Sequence, residues 1–341
     1  MDGINRQWLL KKRPTGMVTL DDFAYKEAAI PRVNLNAGEL LVKNLYFSFD
    51  PAMRGWMDDK PSYLPPAELN QPMRATAVAQ VIDSGNPEIA KGSLVQGMFG
   101  WQEYAISKPN DLIPASLLPE DTPVTMALSI FGGTSFTAYF GLLNIGQPTA
   151  GDTVVVSGAA GATGSVVAQI ARIKGCRVIA IAGGPEKCKW LKDSCHIDQV
   201  IDYKKDNTAK KLSELCPNGI NIFFDNVGGE VLEAAIEHMA EKGRIVLCGQ
   251  IANYNNQKPQ PGPSNLMQVI TRRVRMEGFI MIDFIDRIDE AMNDLITWVM
   301  EGKIVYREDI QEGFEHIPAT FLRLFSGKNT GKQLLKLAEP S

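Results

Sequence analysis

The amino-acid sequence predicts an α/β protein in which a doubly wound parallel sheet is joined to a smaller, mostly β domain. Three observations carry that prediction. From Thr153 onward, apolar strand-like runs alternate with amphipathic helical runs, the pattern of parallel strands linked by crossover helices. Before about residue 125 the chain instead breaks into short β-type runs separated by Pro and Gly. A glycine-rich turn, "SGAAGATGS", links the first strand of the alternating half to its first helix.

Taken in order, "ELLVKNLYFSFDP", "ATAVAQVIDSGNP" and "SLVQGMFGWQEYAI" predict strands of a compact, mainly antiparallel domain. "PVTMALSIFGGTSFTAYFGLLNIG" reads as helix, glycine turn and helix. Strands then follow near Val154–Ser157, Val178–Ala182, Gln199–Ile201, Ile220–Phe224, Arg244–Cys248 and Arg275–Phe279. Helices fit near Ser165–Lys174, Pro185–Asp193, Thr208–Leu215, Glu230–Met239 and Ser264–Arg273. Right-handed crossovers between such strands produce a doubly wound sheet. A long helix, Asp286 to Glu301, precedes a tail with two strand-like ends and one short helix. The expected division is residues 1–125, completed by the tail 305–341, and residues 126–304. A chain of 341 residues is long enough for both, since single cores rarely exceed roughly 250–300 residues.

Composition excludes several classes. A net charge of −4 with both signs interspersed points away from nucleic acid and from an anionic membrane surface. No apolar run approaches the roughly 20 residues that span a bilayer, and "MDGINRQWLLKKRPTG" lacks a signal core, so a cytoplasmic location is expected. Five scattered cysteines (Cys176, Cys188, Cys195, Cys216, Cys248) make no disulfide framework. Without a CxxC, and with His196, His238 and His316 far apart, no metal site is expected.

Gly158, Gly161 and Gly164 form G-x-x-G-x-x-G between a strand and a helix. Small residues there let backbone approach a pyrophosphate, whose charge is favoured by the N–H groups opening the helix. Gly164 also permits close helix–strand packing. An NAD site wants Asp or Glu at the end of the second strand to accept from the ribose 2′-hydroxyl. This chain has Ala182, Gly183 and Gly184 there, then Lys187, with Tyr203 after the third strand. A cation without a carboxylate suits a 2′-phosphate, so NADP(H) is the expected cofactor. Taken singly, Lys187 and Tyr203 could equally be solvated surface residues.

The arrangement resembles the medium-chain dehydrogenase/reductase superfamily over nearly the whole chain, with a GroES-like β domain and a Rossmann domain. The similarity is greatest to its zinc-independent branch of prostaglandin (leukotriene B4 dehydrogenase-like) reductases, plant double-bond reductases and bacterial curcumin reductases. The motifs that carry it are "RPTG", "SFDPAMRGWM", "FGWQEYAI", "FTAYFGLLNIG", "AAGATGSVVAQIARIKGCRVIAIAGGPEKC", "DNVGGE", "CGQIANYN", "GPSNLMQVITRRVRMEGFI" and "GKNTGK".

That resemblance implies Gly161, Ala162 and Thr163 under the pyrophosphate, and Gly184, Lys187 and Tyr203 around the 2′-phosphate. It implies Asn226 and Cys248 beside the nicotinamide ribose, Thr137 at the carboxamide, and the backbone around Phe279 and Met281 completing that pocket. Asn329 would return toward the phosphates, and Tyr254 would stand over the nicotinamide near a substrate carbonyl. Asp50, Met53, Arg54 and Trp101 are candidates for the substrate side, although each of these residue types is as often core or turn-capping. Trp56, Tyr63 and Tyr104 share that ambiguity, and Asp225 reads either as a carboxylate catalyst or as a turn cap. Two departures concern the substrate side: Ala52 stands where relatives usually have Tyr, and "QPMRATAVAQV" replaces a glycine-rich stretch.

With no metal to polarise a carbonyl, conjugate reduction is the accessible chemistry. Hydride would reach the β-carbon of an α,β-unsaturated ketone or aldehyde, and a donor must meet the charge that grows on its oxygen. Tyr254 is the candidate donor. Two other readings stay open: quinone reduction on the same scaffold, and an NADPH-binding protein without turnover acting in regulation. The last parallel-strand segment, "RVRMEGFIM", would leave an open edge, which predicts a homodimer.

Overall fold

The computed structural model describes residues 3–119, 122–258 and 260–340. The chain divides into two compact units, Met1–Ser129 with Glu308–Ser341, and Ile130–Arg307.

The first unit opens with β1 (Ile4–Leu10) paired antiparallel to β2 (Phe23–Ala29). Then come β3 (Leu40–Phe49), a single helical turn α1 (Met53–Trp56), β4 (Ala77–Ser84), β5 (Leu94–Gly97), β6 (Tyr104–Ser107), β7 (Ser116–Leu117) and the short helix α2 (Val124–Leu128). β3 is nearly continuous in apolar residues and buried along almost its full length, as a strand covered on both faces should be. The run "SLVQGMFGWQEYAI", read as one stretch, contains two strands separated at Gly100, whose φ is 70°.

The second unit begins with α3 (Gly133–Phe140), which runs into a π-helical turn at Gly141–Gly146. It continues β8 (Thr153–Val156), α4 (Ala162–Ile173), β9 (Arg177–Ala182), α5 (Pro185–Asp193), β10 (Gln199–Asp202), α6 (Thr208–Leu215), β11 (Ile220–Asp225), α7 (Gly229–Glu237), β12 (Met239–Leu247), α8 (Met267–Thr271), β13 (Arg275–Gly278) and α9 (Ile288–Met300). The six strands lie in the order β10-β9-β8-β11-β12-β13, every pair parallel. That is the doubly wound order, with its reversal between β8 and β11. On one face Val155, Ile179, Ile181, Phe223 and Ile245 pack with Leu212, Leu232 and Ile236 of α6 and α7. Pleat alternation turns Val154 and Val156 the other way, and both are fully buried.

Three expectations needed adjustment. β12 begins at Met239 rather than Arg244, because the polar "EKGR" stretch is carried through by Lys242 at φ 57° and by Gly243. α8 spans Met267–Thr271 rather than ten residues, following a segment with prolines at 261 and 263. β13 is four residues long, ending at Gly278, so the open edge is shorter than the apolar run suggested.

The tail returns to the first unit as β14 (Glu308–Glu312), α10 (Ile317–Arg323) and β15 (Lys332–Lys336). β15 pairs antiparallel with β3, completing the sheet order β14-β15-β3-β4-β5-β7, with β6 also on β3. Beneath it, Trp101 packs on Phe23, Phe49 and Phe321 with ring centroids 5.0, 5.8 and 5.7 Å apart.

Candidate functional site

All six parallel strands of the second unit end at one edge, and the sequence-predicted cofactor residues of that unit gather along it. At the topological reversal, β8 runs into the glycine turn. Gly158 adopts φ 59°, a conformation costly for any side chain, and its carbonyl accepts the N–H of Gly161 at 3.0 Å. Gly161 is the N-cap of α4 and contributes no side chain. Ala162, Thr163 and Gly164 therefore present the first N–H groups of the helix beside bare backbone. A Cβ on Gly164 would stand 2.4 Å from the Gly158 oxygen and 2.8 Å from Ala159 Cα. The helix start thus lies against the turn as only glycine allows, a cradle suited to a pyrophosphate.

One strand out, β9 ends at Ala182 and the chain turns through Gly183 and Gly184. Gly184 has φ 96° and caps α5, whose first turn carries Pro185. Lys187 lies in that same first turn, half-buried. Tyr203, just past β10, lays its ring on Gly183: a Cβ there would meet ring carbons at 2.7 Å and the hydroxyl at 2.8 Å. Sequence reading missed Asp202. It is aligned with Ala182 in the strand register, and its Oδ1 accepts the N–H of Gly184 at 2.8 Å and of Lys204 at 3.1 Å. An acid does stand beside the cradle, on the neighbouring strand, and it is engaged by backbone donors. The strand pairing that places it there is not visible in one sequence.

At the end of β11, Asp225 is fully buried. Oδ1 accepts the Ser157 hydroxyl (2.8 Å) and the N–H of Val227 (3.0 Å), while the Gly228 N–H reaches Oδ1 at 3.1 Å and Oδ2 at 3.0 Å. Burial pushes its carboxyl above the ordinary range, against the pull of these donors. Asp225 is therefore a turn cap, the second of its two readings. Asn226 donates from Nδ2 to the Ser157 carbonyl at 2.7 Å, tying β8 to β11 across the reversal. Ser157, not singled out from the sequence, is thus the hub of this junction.

The loop after β12 is bound to that junction. The N–H groups of Cys248 and Gly249 donate to the Asp225 carbonyl, at 2.9 and 3.0 Å, and that of Ala252 to the Val227 carbonyl at 3.1 Å. Burial, with the Asp225 charge nearby, raises the Cys248 thiol to about 12, so it stays protonated. Tyr254 folds back over the loop. Its hydroxyl accepts the Gln250 N–H at 3.1 Å and would stand 3.0 Å from a Cβ on Gly249.

Thr137 lies one turn into α3, where its hydroxyl donates to the Gly133 carbonyl at 2.7 Å. Gly133 in turn abuts the Met281 side chain, with a Cβ 3.7 Å from Met281 Cε. Phe279 packs on Gly141, which continues α3, and against Phe224 with centroids 6.4 Å apart. Thr137, Phe279 and Met281 thus share one helix-side neighbourhood.

In the first unit the expected substrate-side residues serve the fold. Met53 and Trp101 sit within its core. Arg54 is buried, bonded to Asp58 at 2.7 Å and to the carbonyls of Pro14 and Gly16 at 3.3 and 3.2 Å. Asp50 accepts the Ser48 hydroxyl at 2.8 Å and pairs with the buried Lys332 of β15. Trp56 donates from its indole to the Tyr63 hydroxyl at 2.9 Å, and Asn329 donates to the Gly331 carbonyl at 3.2 Å.

The chain matches two family models: residues 6–115 match the N-terminal domain of oxidoreductase, and residues 162–298 match one described as zinc-binding dehydrogenase. Among the described residues, no group of three or more His, Cys, Asp or Glu could hold a metal ion. The chain is 39% identical to the NADPH-dependent curcumin reductase of Escherichia coli, covering 98% of this chain and 97% of that one. It is 37% identical to the NADP(+)-dependent 2-alkenal reductase of Nicotiana tabacum, covering 98% of each. The crystal structure of CurA from Vibrio vulnificus in complex with NADPH matches with a TM-score of 0.92 and 42% identity, over 98% of this chain and 100% of that one. The chain belongs to the zinc-independent medium-chain dehydrogenase/reductase family.

Proposed function

We propose that this protein reduces the C=C bond of α,β-unsaturated ketones and aldehydes with NADPH. The observation that carries the cofactor half is the end of β9. There Gly183 and Gly184 lie beneath the Tyr203 ring, Lys187 follows in the first turn of α5, and the nearby carboxylate, Asp202, is turned onto backbone N–H groups. The full-length similarity to a curcumin reductase and an alkenal reductase supports the substrate half.

NADPH, when bound, supplies the hydride. The turn Gly158–Gly164 and the start of α4 would hold its pyrophosphate; Gly184, Lys187 and Tyr203 its 2′-phosphate; and Asn226, Cys248, Thr137, Phe279 and Met281 the nicotinamide end. Tyr254 is oriented by the Gln250 N–H, which fixes its hydroxyl oxygen. It would donate toward the substrate oxygen as negative charge builds there. The Cys248 thiol, held protonated, adds no competing charge beside it.

The test is an anaerobic assay with NADPH and a panel of simple enones and enals. NADPH consumption above an enzyme-free control is expected. None across the panel, or faster turnover of a quinone at matched concentration, would overturn the substrate assignment.

The same reading includes a cytoplasmic homodimer. All five cysteines are free thiols, as a reducing compartment favours. Among the described residues β13 closes one end of the sheet with an unpaired edge, and the short α8 just before it exposes Met267 at 66% and Ile270 at 70%. Pairing of two such edges about a two-fold axis covers both. A monomeric mass in solution would contradict it.

A further inference from the structure

We infer that Gly183 is a residue that determines cofactor specificity, acting as a positioning residue through Tyr203, and that Asp202 holds the turn in place for it. This rests on the assignment of the 2′-phosphate to Lys187 and Tyr203.

Space sets the first constraint. Tyr203 lies with its ring edge and hydroxyl so close to Gly183 that a single Cβ would stand 2.7 Å from two ring carbons and 2.8 Å from the hydroxyl oxygen. The ring therefore rests on bare backbone, and the hydroxyl is held at the end of β9. Gly183 does not adopt a left-handed conformation, whereas Gly184, next to it, has φ 96°. Glycine at 183 is thus required by the ring above it, not by its own backbone angles. Tyr203 is 50% exposed, so an added methyl group would displace the ring into solvent at little cost to the fold. Loss of position, not loss of folding, is the consequence.

Asp202 supplies the second constraint. Its Oδ1 accepts two backbone N–H groups, from Gly184 at 2.8 Å and Lys204 at 3.1 Å, and its own N–H donates to Asp206 Oδ2 at 3.0 Å. One carboxylate oxygen thus links the turn after β9 to the turn after β10, the two segments that carry Gly183 and Tyr203. A carboxylate at the end of β9 would accept from a ribose 2′-hydroxyl and favour NADH; the acid present instead ends β10. Its Oδ1 holds the two turns together.

The experiment measures direct binding of NADPH and NADH, by titration calorimetry, to the wild type and to Gly183→Ala, Tyr203→Ala and the double variant. Lys187→Ala, Asp202→Asn and Asp202→Ala are run alongside. Gly183→Ala is expected to weaken NADPH by about 10-fold, the loss of one positioned phosphate contact, with NADH changed less than about 2-fold. In the Tyr203→Ala background the same substitution is expected to change neither. Asp202→Asn retains an oxygen acceptor and is expected to preserve most of the preference, whereas Asp202→Ala is expected to lower it. Equal weakening of both cofactors by Gly183→Ala, or the same NADPH loss with Tyr203 absent, would overturn the inference. If Lys187→Ala also weakened both cofactors equally, the phosphate assignment itself would fail. If Lys187→Ala were selective and Gly183→Ala were not, only the role of Gly183 would fall.

Discussion

Gly164→Ala offers the most direct measure of the proposed nucleotide cradle. The added Cβ would stand 2.4 Å from the Gly158 oxygen, 2.8 Å from Ala159 Cα and 2.9 Å from the Gly158 carbonyl carbon. All three are backbone atoms, so no side chain can swing aside. Relief requires the turn and α4 to separate until the closest approach reaches at least 3.4 Å, a movement of about 1 Å. Overpacking of this kind costs about 1–3 kcal/mol. Alanine returns about 1 kcal/mol through its better helix propensity. The net loss is about 0–2 kcal/mol, at most about 8 °C in Tm for a domain of this size. The cofactor suffers more, because the N–H groups of Ala162, Thr163 and Gly164 move with the helix. A displacement of that size weakens a positioned contact set by about 10- to 100-fold. Gly161→Ala is the internal control: its Cβ meets only the Gly158 oxygen, at 3.2 Å, so a stability loss below about 1 kcal/mol is expected. Thermal melts and NADPH titrations read both quantities. A Gly164→Ala protein as stable as wild type with unchanged NADPH affinity, or a reversed order of the two variants, would refute the cradle.

Lys187→Ala is expected to weaken NADPH by about 10-fold or more while leaving NADH nearly unchanged; binding titrations with both cofactors check it. Tyr254→Phe removes the proposed donor and is expected to lower kcat by about 100-fold with little change in NADPH affinity, read by steady-state and binding measurements together. Trp101→Ala should cost about 3–5 kcal/mol because the ring lies wholly within the core. The KM of the remaining folded enzyme should hold, and a raised KM at unchanged stability would return Trp101 to the substrate pocket. The Cys195 thiol is raised by burial from 9.0 to about 12. A raised folded-state value means the native state holds its proton longer than the unfolded chain, so stability falls as pH climbs from about 9 toward 12. Cys195→Ala should flatten that alkaline decline in a melt series; an unchanged slope would contradict the burial effect.

The β-branched runs at 153–156 and 177–182, the glycine spacing at 158, 161 and 164, and the acid-free end of the second strand are local patterns. Each records its structure within a few neighbouring residues, so each was legible in one dimension. Alternation of strands with helical periods likewise suffices to specify parallel winding.

Asp202, Ser157 and Gly183 were not legible, because their roles arise from strand pairing. Asp202 acts on Gly184 only because β10 lies beside β9 in register. Ser157 matters because β8 lies beside β11. The use of Gly183 depends on a ring arriving from 20 residues further along the chain. Trp101 and Met53 carried the same limit in reverse: an aromatic or a methionine does not announce which face it turns, and packing placed both in the core. Local conformational preference and periodicity therefore determined the elements and the glycine turn. Contacts between strands distant in sequence decided which polar atoms meet, which carboxylate is engaged and which ring is buried, since hydrogen bonding and burial depend on neighbours that only folding brings together.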